Sequence, residues 1–294
     1  MGTTYSDSSL WPCQDHYLKL YISVRAASRP PLKLRPQGDR QSMDLIILGS
    51  GTAIPLGDRG SPGLVMLIEK APVLFDMGPG TLRQLMRVGV DYEKIERIFL
   101  THFHPDHTAD LIHFLFASRN PGVLKRRRPF VVAGPVGVTD LVSALDKAYH
   151  GWLSLPPRIM EIEEVRPGGI RDYGSFIVTA APTQHSMNSL AYRVEDSFGR
   201  TVVYSGDTGF CEEVVDLARG AHLLILECSF PDGAEVQGHL TPSLAGRIAT
   251  LAGVKRLVLT HFYPQCLQSD IVSQCRKSYG GELILGRDLL RIGV

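Results

Sequence analysis

The sequence lacks three features that mark large classes of protein: long apolar runs, paired cysteines and a strong excess of one charge. No stretch stays apolar for the ~18 residues that a membrane-spanning helix needs, and the amino terminus lacks the layout of a secretory signal. The 5 cysteines are scattered without CxxC spacing, which argues against a disulfide framework and fits a reducing cytoplasm. The formal net charge of +1 demands no polyanionic partner. We therefore expect a cytoplasmic protein with no membrane segment.

The bulk composition is that of a globular protein with a sizeable core. The chain has 294 residues, of which 44% are hydrophobic and 21% are charged. Residues 1–42 differ from the rest, because they contain Arg-Pro-Pro and Arg-Pro-Gln-Gly, several basic residues and little periodicity. We expect a poorly ordered amino-terminal extension over 1–42 and one folded domain over 43–294. A targeting or partner-binding role is the alternative for the extension.

From Met43 onward, apolar strand patterns alternate with helical patterns and glycine-rich turns. Early strands, such as those predicted over 45–48 and 64–69, come in antiparallel-looking pairs. Later strands, such as 201–204 and 256–260, alternate with helices, and a helix is predicted over 108–117. This mixture predicts an α/β fold with two packed sheets and helices outside, rather than a doubly wound parallel sheet.

One short stretch carries an unusual density of metal-ligand side chains. His102, His104, Asp106 and His107 follow the apolar run 97–100, which has the pattern of a buried strand. A polar turn with an N-capping aspartate is the structural alternative, but a cap needs one side chain and not four. Imidazole and carboxylate ligands together suit Zn²⁺, Mn²⁺ or Fe. Two metal ions that share this loop would account for the cluster.

Three further residues repeat the same position at the end of a predicted strand. His185, Asp207 and His261 each follow an apolar run, so all three could gather at one edge of the sheets. A lone polar residue after a strand is usually a turn residue, but the repetition favours ligation. The remaining histidines lie in ordinary contexts and are expected to be surface or structural residues: His16, His113, His150 and His222.

Several motifs resemble one known family. The chain from residue 43 onward resembles the metallo-β-lactamase superfamily, whose signature is HxHxDH, and within it ribonuclease Z (tRNase Z), the endoribonuclease that trims tRNA 3′ ends. The resemblance implies the αββα four-layer sandwich of that superfamily, with two mixed β-sheets flanked by helices. The matching segments cover 48–55, 75–81, 204–208, 226–230, 238–241 and 255–262.

The resemblance also implies roles for the ligand-type residues. One metal ion is held by His102, His104 and His185, and the other by Asp106, His107 and His261, with Asp207 bridging the two. Zn²⁺ is the expected ion, with Mn²⁺ and Fe²⁺ as alternatives. A hydroxide shared by two cations forms near neutral pH and can attack phosphorus in line. Asp106 is expected to orient this hydroxide as well as to ligate.

The more specific sign of the family is a second pair of residues. Glu227 and His239 would protonate the leaving alkoxide, because a histidine kept charged by a carboxylate is a suitable acid. The alternatives are a strand-end ion-pair partner and a residue at a helix start. Asp76 is expected to accept a hydrogen bond from a ligand histidine, or else to be an ordinary turn residue. The basic run 125–128 is expected to be a solvated loop, with phosphate binding as the alternative.

Two departures from the family pattern bear on the substrate. Pro105 stands where the family usually has glycine. The long flexible arm with which ribonuclease Z proteins grip tRNA lies between the positions of His185 and Asp207, and here only residues 186–206 separate them. This segment is long enough for two strands and a turn but not for an arm.

The sequence therefore leaves more than one substrate class open. The first hypothesis is a phosphodiesterase acting on RNA, such as a tRNA precursor. The second is a small phosphodiester, for example a cyclic nucleotide, or an arylsulfate on the same site. A β-lactamase and a flavodiiron oxidoreductase are disfavoured by the bridging aspartate and by the HxHxDH pattern. A non-catalytic, metal-stabilised binding protein is the last alternative. The sequence itself says little about oligomerisation, but the resemblance implies a homodimer, because the family is commonly dimeric.

Overall fold

The computed structural model describes residues 43–119 and 128–294. The predicted extension over 1–42, His16, and residues 125–127 of the basic run lie outside the described residues. Strands are numbered β1 to β14 in chain order: Met43–Gly49, Gly63–Ile68, Ala71–Met77, Arg97–Phe99, Phe130–Pro135, Met160–Val165, Ile170–Asp172, Phe176–Pro182, Leu190–Asp196, Thr201–Tyr204, Leu223–Glu227, Arg256–Thr260, Glu282–Leu285 and Arg291–Gly293.

Helices of the described residues are numbered α1 to α8 in the same way: Thr81–Arg87, Pro105–Thr108, Asp110–Arg119, Val138–Ala148, Glu212–Ala218, Pro242–Leu251, Pro264–Leu267 and Ile271–Arg276. Side chains that cap helix starts explain two of these boundaries. Asp270 accepts a hydrogen bond from the backbone of Ser273 at the start of α8, and Thr241 caps α6 in the same manner. None of the helices in the described ranges is long and apolar enough to cross a membrane.

The strands form two sheets of mixed direction. The first has the order β14-β1-β2-β3-β4-β5-β6 and the second β13-β12-β11-β10-β9-β8-β7. Within each sheet, hairpin-connected strands pair antiparallel, whereas β3 to β6 and β10 to β13 pair parallel. Parallel neighbours end at the same edge, so residues that follow β4, β10, β11 and β12 are delivered to the same side of their sheets.

The hydrophobic core has three layers, which is what makes the fold a four-layer sandwich. Between the sheets lie large buried side chains such as Phe75, Phe99 and Tyr192, and the rings of Phe75 and Phe99 stack at 5.1 Å. A second apolar layer joins α5, α6 and α8 to the second sheet, and a third joins α1, α3 and α4 to the first. Helices thus cover both outer faces, which confirms the predicted αββα arrangement.

The local predictions were accurate for buried strands and less so elsewhere. The strands β10 and β12 span the predicted residues. The helix predicted over 108–117 was wrong at its start, because Pro105 opens a short helix earlier and the chain then continues into α3. The strand β6 was missed, since its sequence Met-Glu-Ile-Glu-Glu-Val is polar and only half-buried at a sheet edge.

The segment between His185 and Asp207 contains no arm. Residues 186–206 include β9 and β10, which pair antiparallel from Thr201 opposite Glu195 to Tyr204 opposite Tyr192. The predicted two strands and a turn are therefore confirmed. The hairpin belongs to the second sheet, so no part of it extends from the fold.

Candidate metal centre

Three histidines turn their ring nitrogens toward one point at the edge of the sheets. His102 follows β4, and His185 follows β8. His104 Nδ1 lies 3.1 Å from His102 Nε2 and 3.1 Å from His185 Nε2. Asp207 Oδ2 lies 3.8 Å from His102 Nε2 and 3.6 Å from His185 Nε2. We call His102, His104 and His185, together with this oxygen, the first cluster.

A second group lies directly beside the first. His107 Nε2 is 3.4 Å from His261 Nε2, and Asp106 Oδ2 is 3.8 Å and 3.6 Å from these two nitrogens. The other oxygen of Asp207, Oδ1, is 3.2 Å from His107 Nε2 and 3.4 Å from His261 Nε2. We call Asp106, His107 and His261, together with this oxygen, the second cluster. The carboxylate of Asp207 thus offers one oxygen to each cluster.

The donor set fits two divalent cations. Ligand atoms at 2.0–2.1 Å from a tetrahedral ion are roughly 3.3 Å apart, and the spacings in both clusters lie near this value. Asp207 Oδ1 is buried and makes no hydrogen bond in the described residues. A buried carboxylate oxygen without a partner costs free energy, so a positive charge at this place would satisfy it.

Hydrogen bonds assign the tautomers of the histidines in a way that leaves the clustered nitrogens free to ligate. His107 Nδ1 lies 2.8 Å from Asp76 Oδ2 and donates to it, which leaves Nε2 facing the second cluster. His102 Nδ1 lies 3.0 Å from Thr101 Oγ1, which itself donates to Asp76. Asp76 is completely buried and also accepts from the hydroxyl of Tyr204. The hydrogen bond predicted for Asp76 is therefore confirmed.

One histidine in each cluster has a further hydrogen-bond partner that orients its ring. Ser229 Oγ lies 2.9 Å from His261 Nδ1 and donates to Glu227 Oε2 at 2.6 Å, so its hydroxyl accepts the ring proton of His261. His185 Nδ1 donates to the backbone carbonyl of Gly238 at 2.9 Å. Both contacts leave Nε2 of the histidine facing its cluster. Ser229, Thr101 and Gly238 were missed by sequence reasoning, because a serine, a threonine and a backbone carbonyl carry no metal-ligand signal.

The backbone around the clusters is strained or closely packed. Asp76 and His261 adopt positive φ values of 54° and 59°, which are unfavourable for side chains other than glycine. Gly206, with φ of 57°, passes so close to Thr101 that a Cβ would lie 2.6 Å from its side chain. A larger residue there would displace the loop that carries Asp207.

Glu227 and His239 form the pair that the sequence suggested. His239 Nδ1 lies 2.8 Å from Glu227 Oε1 and donates to it. Glu227 is buried at the end of β11 and also accepts from the backbone N–H of Thr208 at 2.9 Å. The ring of His239 lies 4.9 Å from that of His185 and 6.1 Å from that of His261. The pair therefore borders both clusters, with His239 at the more exposed side.

The pKa directions follow from burial and from the neighbouring charges. Burial and the adjacent His107 hold the pKa of His102 well below its usual value, so this ring is neutral, as a metal ligand must be. Burial would also lower the pKa of His107, but the charges of Asp207 and Asp76 outweigh it and raise the pKa well above its usual value. The same two carboxylates that attract this proton would favour a cation in its place.

His239 shows the opposite balance to His102. Burial lowers its pKa, but the hydrogen bond and the charge of Glu227 raise it, and the net direction is upward. An imidazole with a raised pKa keeps its proton to higher pH and can act as an acid near neutrality. The pairing with Glu227 thus gives His239 a property that the ligand-type histidine His102 lacks.

An aromatic pair borders the same side of the centre. The rings of Phe230 and Tyr263 stack at 4.7 Å with an interplanar angle of 17°. The Tyr263 ring lies 5.9 Å from that of His261 and 6.2 Å from that of His239. Burial raises the pKa of Tyr263, and so do the charges of Asp106 and Asp207. The sequence signalled neither aromatic residue as functional.

The structure brings every residue of the predicted ligand set and the Glu227–His239 pair to one place, and leaves the other described histidines outside it. His113 is exposed beside Asp110, and His222 bonds to Thr201. His239 also comes close enough to Asp207 and His261 to offer a ligand atom to the second cluster. Arg128, the described member of the basic run, forms an exposed ion pair with Glu96 at 3.7 Å.

Comparisons with known proteins agree with this geometry. The sequence-family model for the beta-lactamase superfamily domain matches residues 72–262 of this chain. The chain is 30% identical to the ribonuclease Z of Thermobifida fusca (strain YX), over 85% of this chain and 94% of that one. It is similar to the short form of human tRNase Z, with 29% identity and a TM-score of 0.69, over 85% of this chain and 98% of that one. The metallo-beta-lactamase fold protein YhfI of Bacillus subtilis, at 23% identity, shares the fold with a TM-score of 0.76, over 86% of this chain and 100% of that one.

Proposed function

The chain belongs to the beta-lactamase superfamily and, within it, to the ribonuclease Z family, and from this premise we propose that it is a metal-dependent phosphodiester hydrolase acting on RNA. The observation that carries the proposal is the Glu227–His239 pair, joined at 2.8 Å beside both clusters. Hydrolysis of a phosphodiester expels an alkoxide, which needs a proton at neutral pH. A histidine with a raised pKa next to the clusters supplies that need.

We propose that each cluster holds one divalent cation, with Zn²⁺ preferred for its nitrogen and carboxylate donors and Mn²⁺ or Fe²⁺ as alternatives. Such cations, when bound, supply a nucleophilic water at neutral pH and positive charge opposite the phosphoryl oxygens. Asp207 is the proposed bridge, because its two oxygens face different clusters. The orphaned Oδ1 of this carboxylate supports the assignment.

The remaining steps belong to side chains of this chain. Asp106, whose side chain is 12% exposed, faces the open side of the second cluster and is proposed to orient the attacking water. Glu227 holds the Nδ1 proton of His239, so that Nε2 is the atom that donates to the leaving oxygen. Ser229 contacts both Glu227 and His261 and thereby ties the acid to the second cluster.

The proposed RNA substrate is a tRNA precursor with a 3′ extension, as the names of the relatives suggest. A second candidate is a small phosphodiester such as a cyclic nucleotide. One observation favours it: the segment 186–206 forms the sheet hairpin β9–β10 and offers no arm to hold a large RNA. An arylsulfate on the same residues and a non-catalytic metal-binding role are the remaining alternatives.

One panel of substrates tests these candidates. The metal-loaded protein is offered a 3′-extended tRNA precursor, bis(p-nitrophenyl) phosphate, 2′,3′-cyclic nucleotides and p-nitrophenyl sulfate. We expect cleavage of the precursor and of the simple diester. Cleavage of small diesters with an intact precursor would replace RNA by a small-molecule substrate. No turnover on any of them, with metal bound, would support the non-catalytic alternative.

Three further statements are proposals about the protein as a whole. The hydrolase domain is proposed to span 43–294, because β1 begins at Met43 and pairs with β14 near the other end. A cytoplasmic location is proposed because the described cysteines are free thiols. A homodimer is the proposed assembly. Light scattering after size-exclusion chromatography would contradict it by giving the mass of one chain.

A further inference from the structure

Tyr263 is held in a fixed position at the edge of the metal centre. Its ring stacks on Phe230 and lies edge-on to His239 and His261. Its backbone N–H donates to the carbonyl of Ser229 at 3.2 Å, and the next residue, Pro264, opens the helix α7. The ring is therefore anchored both through the main chain and by packing, and it does not depend on its hydroxyl group for its position.

The hydroxyl of Tyr263 differs from those of the three tyrosines that are buried in the described part of the chain. Tyr192 donates to the carbonyl of Leu100 at 2.8 Å, and Tyr204 donates to Asp76 at 2.9 Å. Tyr279 likewise lies within hydrogen-bond distance of the Val254 carbonyl. The Tyr263 hydroxyl makes no hydrogen bond to any described residue, although its ring borders the carboxylates and imidazoles of the centre. A donor is thus left without a partner among the described residues, on a ring that borders both His239 and His261.

We propose that Tyr263 is a substrate-binding residue whose hydroxyl donates a hydrogen bond to a non-bridging oxygen of the scissile phosphodiester. This inference rests on the proposed function and adds a residue to it. A phosphodiester offers only acceptors, and negative charge on these oxygens grows during attack, so a fixed donor stabilises the transition state more than the ground state. The rings of His239 and Tyr263 lie 6.2 Å apart, centroid to centroid. In this proposal His239 donates to the leaving oxygen, and Tyr263 donates to an oxygen that remains on phosphorus.

The first test compares Tyr263→Phe with the unaltered protein. This change removes the hydroxyl and keeps the ring that packs on Phe230. We expect kcat/KM on bis(p-nitrophenyl) phosphate and on a 3′-extended tRNA precursor to fall about 10- to 100-fold, the value of one hydrogen bond to a charged group, mainly through kcat, while metal content stays the same. Tyr149→Phe, at an exposed tyrosine at the end of α4, is the matched control and should behave as the unaltered protein.

The second test identifies the atom that the hydroxyl contacts. The scissile linkage is made as two separate phosphorothioate diastereomers, because sulfur is a poor acceptor. We expect Tyr263→Phe to keep its full defect on one diastereomer and to lose most of it on the other. An equal defect on both would mean a purely structural role, and no defect on the oxygen substrate would remove Tyr263 from the site. If the unaltered protein cleaves no phosphodiester, the proposed function itself fails, and this inference falls with it.

Discussion

The two clusters use the same kinds of ligand but differ in burial. In the second cluster, His107 is fully buried and His261 is 3% exposed. In the first cluster, His102 is buried, whereas His104 is exposed and His185 is partly so. The difference places the second cluster at the floor of the centre and the first at its rim. A cation in the second cluster would be the more enclosed of the two, and one in the first the more exposed.

The clusters also differ in how their histidines are held. His107 and His261 each bond to a buried side chain, Asp76 and Ser229. In the first cluster, His102 bonds to the buried side chain of Thr101, whereas His185 bonds to the backbone carbonyl of Gly238. Partners of this kind fix the tautomer and the ring orientation and raise metal affinity. We therefore expect the second cluster to be the better organised and the tighter of the two.

The largest expected effect comes from the residue that the clusters share. Asp207→Ala removes one oxygen from each cluster, so both clusters should bind metal more weakly. Activity should fall by more than the ~100-fold that follows from loss of a residue that only hydrogen-bonds to a ligand. Inductively coupled plasma mass spectrometry measures the loss of bound metal, and kcat/KM measures the loss of activity. Asp216→Ala, at an exposed aspartate on α5, is the control. Two ions retained by Asp207→Ala would show that the clusters do not share a ligand.

Replacement of His239 tests where the second cluster ends. His239→Ala should lower kcat by about 10²- to 10⁴-fold and leave both ions bound, because the proposed role of this ring is to donate a proton. Turnover and metal content are measured on the same preparation. His239 is near enough to Asp207 and His261 to ligate. Loss of one ion in the variant would therefore assign His239 to the second cluster and remove its role as an acid.

The orienting contact of Ser229 tests whether side-chain partners make the second cluster tighter. Ser229→Ala should weaken metal binding there by about 10- to 100-fold and leave the first cluster unchanged. In a titration with a chelator, the two ions should leave in two steps. The later step, which reports the second cluster, should move to a lower chelator concentration in the variant. Ser186→Ala is a matched control, since Ser186 bonds to Ser189 and to no ligand histidine. A shift of the earlier step alone would reverse the ranking of the clusters.

The smallest expected effect concerns pH. His239 has a raised pKa, so it is protonated at low pH, and activity that needs this proton is lost as the pH rises through that pKa. In Glu227→Gln the charge that raises the pKa is gone while burial still lowers it, so the alkaline limb of kcat against pH should move to lower pH. An unmoved limb would mean that another group near the clusters controls it.

Much of the fold could be predicted because the buried strands have a local signature. The strands β10 and β12 are continuous apolar runs, and the structure has them over the predicted residues. The strand β6 contains three glutamates in six residues and is only half-buried at a sheet edge, so it lacks the continuous apolar run that identified the buried strands. The strand β14 has little apolar content and is defined by its pairing with β1, a contact between residues far apart in the chain.

The candidate site was only partly predictable for a related reason. The positions of His102, Asp207 and His261 after apolar strands predicted that they would meet at one edge, since parallel strands end together. Ser229 and Tyr263 follow strands too, but their types are common in turns and carry no metal-ligand signal. Their contacts depend on neighbours from other strands, such as His261 beside Ser229 and Phe230 beside Tyr263.

The sequence by itself determined which side chains could carry the chemistry and which layers the chain would form, because ligand type and apolar periodicity are local properties. Only the tertiary structure decided how these residues divide the work. The packing of the two sheets directs one oxygen of Asp207 to each cluster, buries His107 against Asp76 and leaves the Tyr263 hydroxyl without a partner among the described residues. These outcomes depend on distances between strands that are remote in sequence, and no local pattern encodes them.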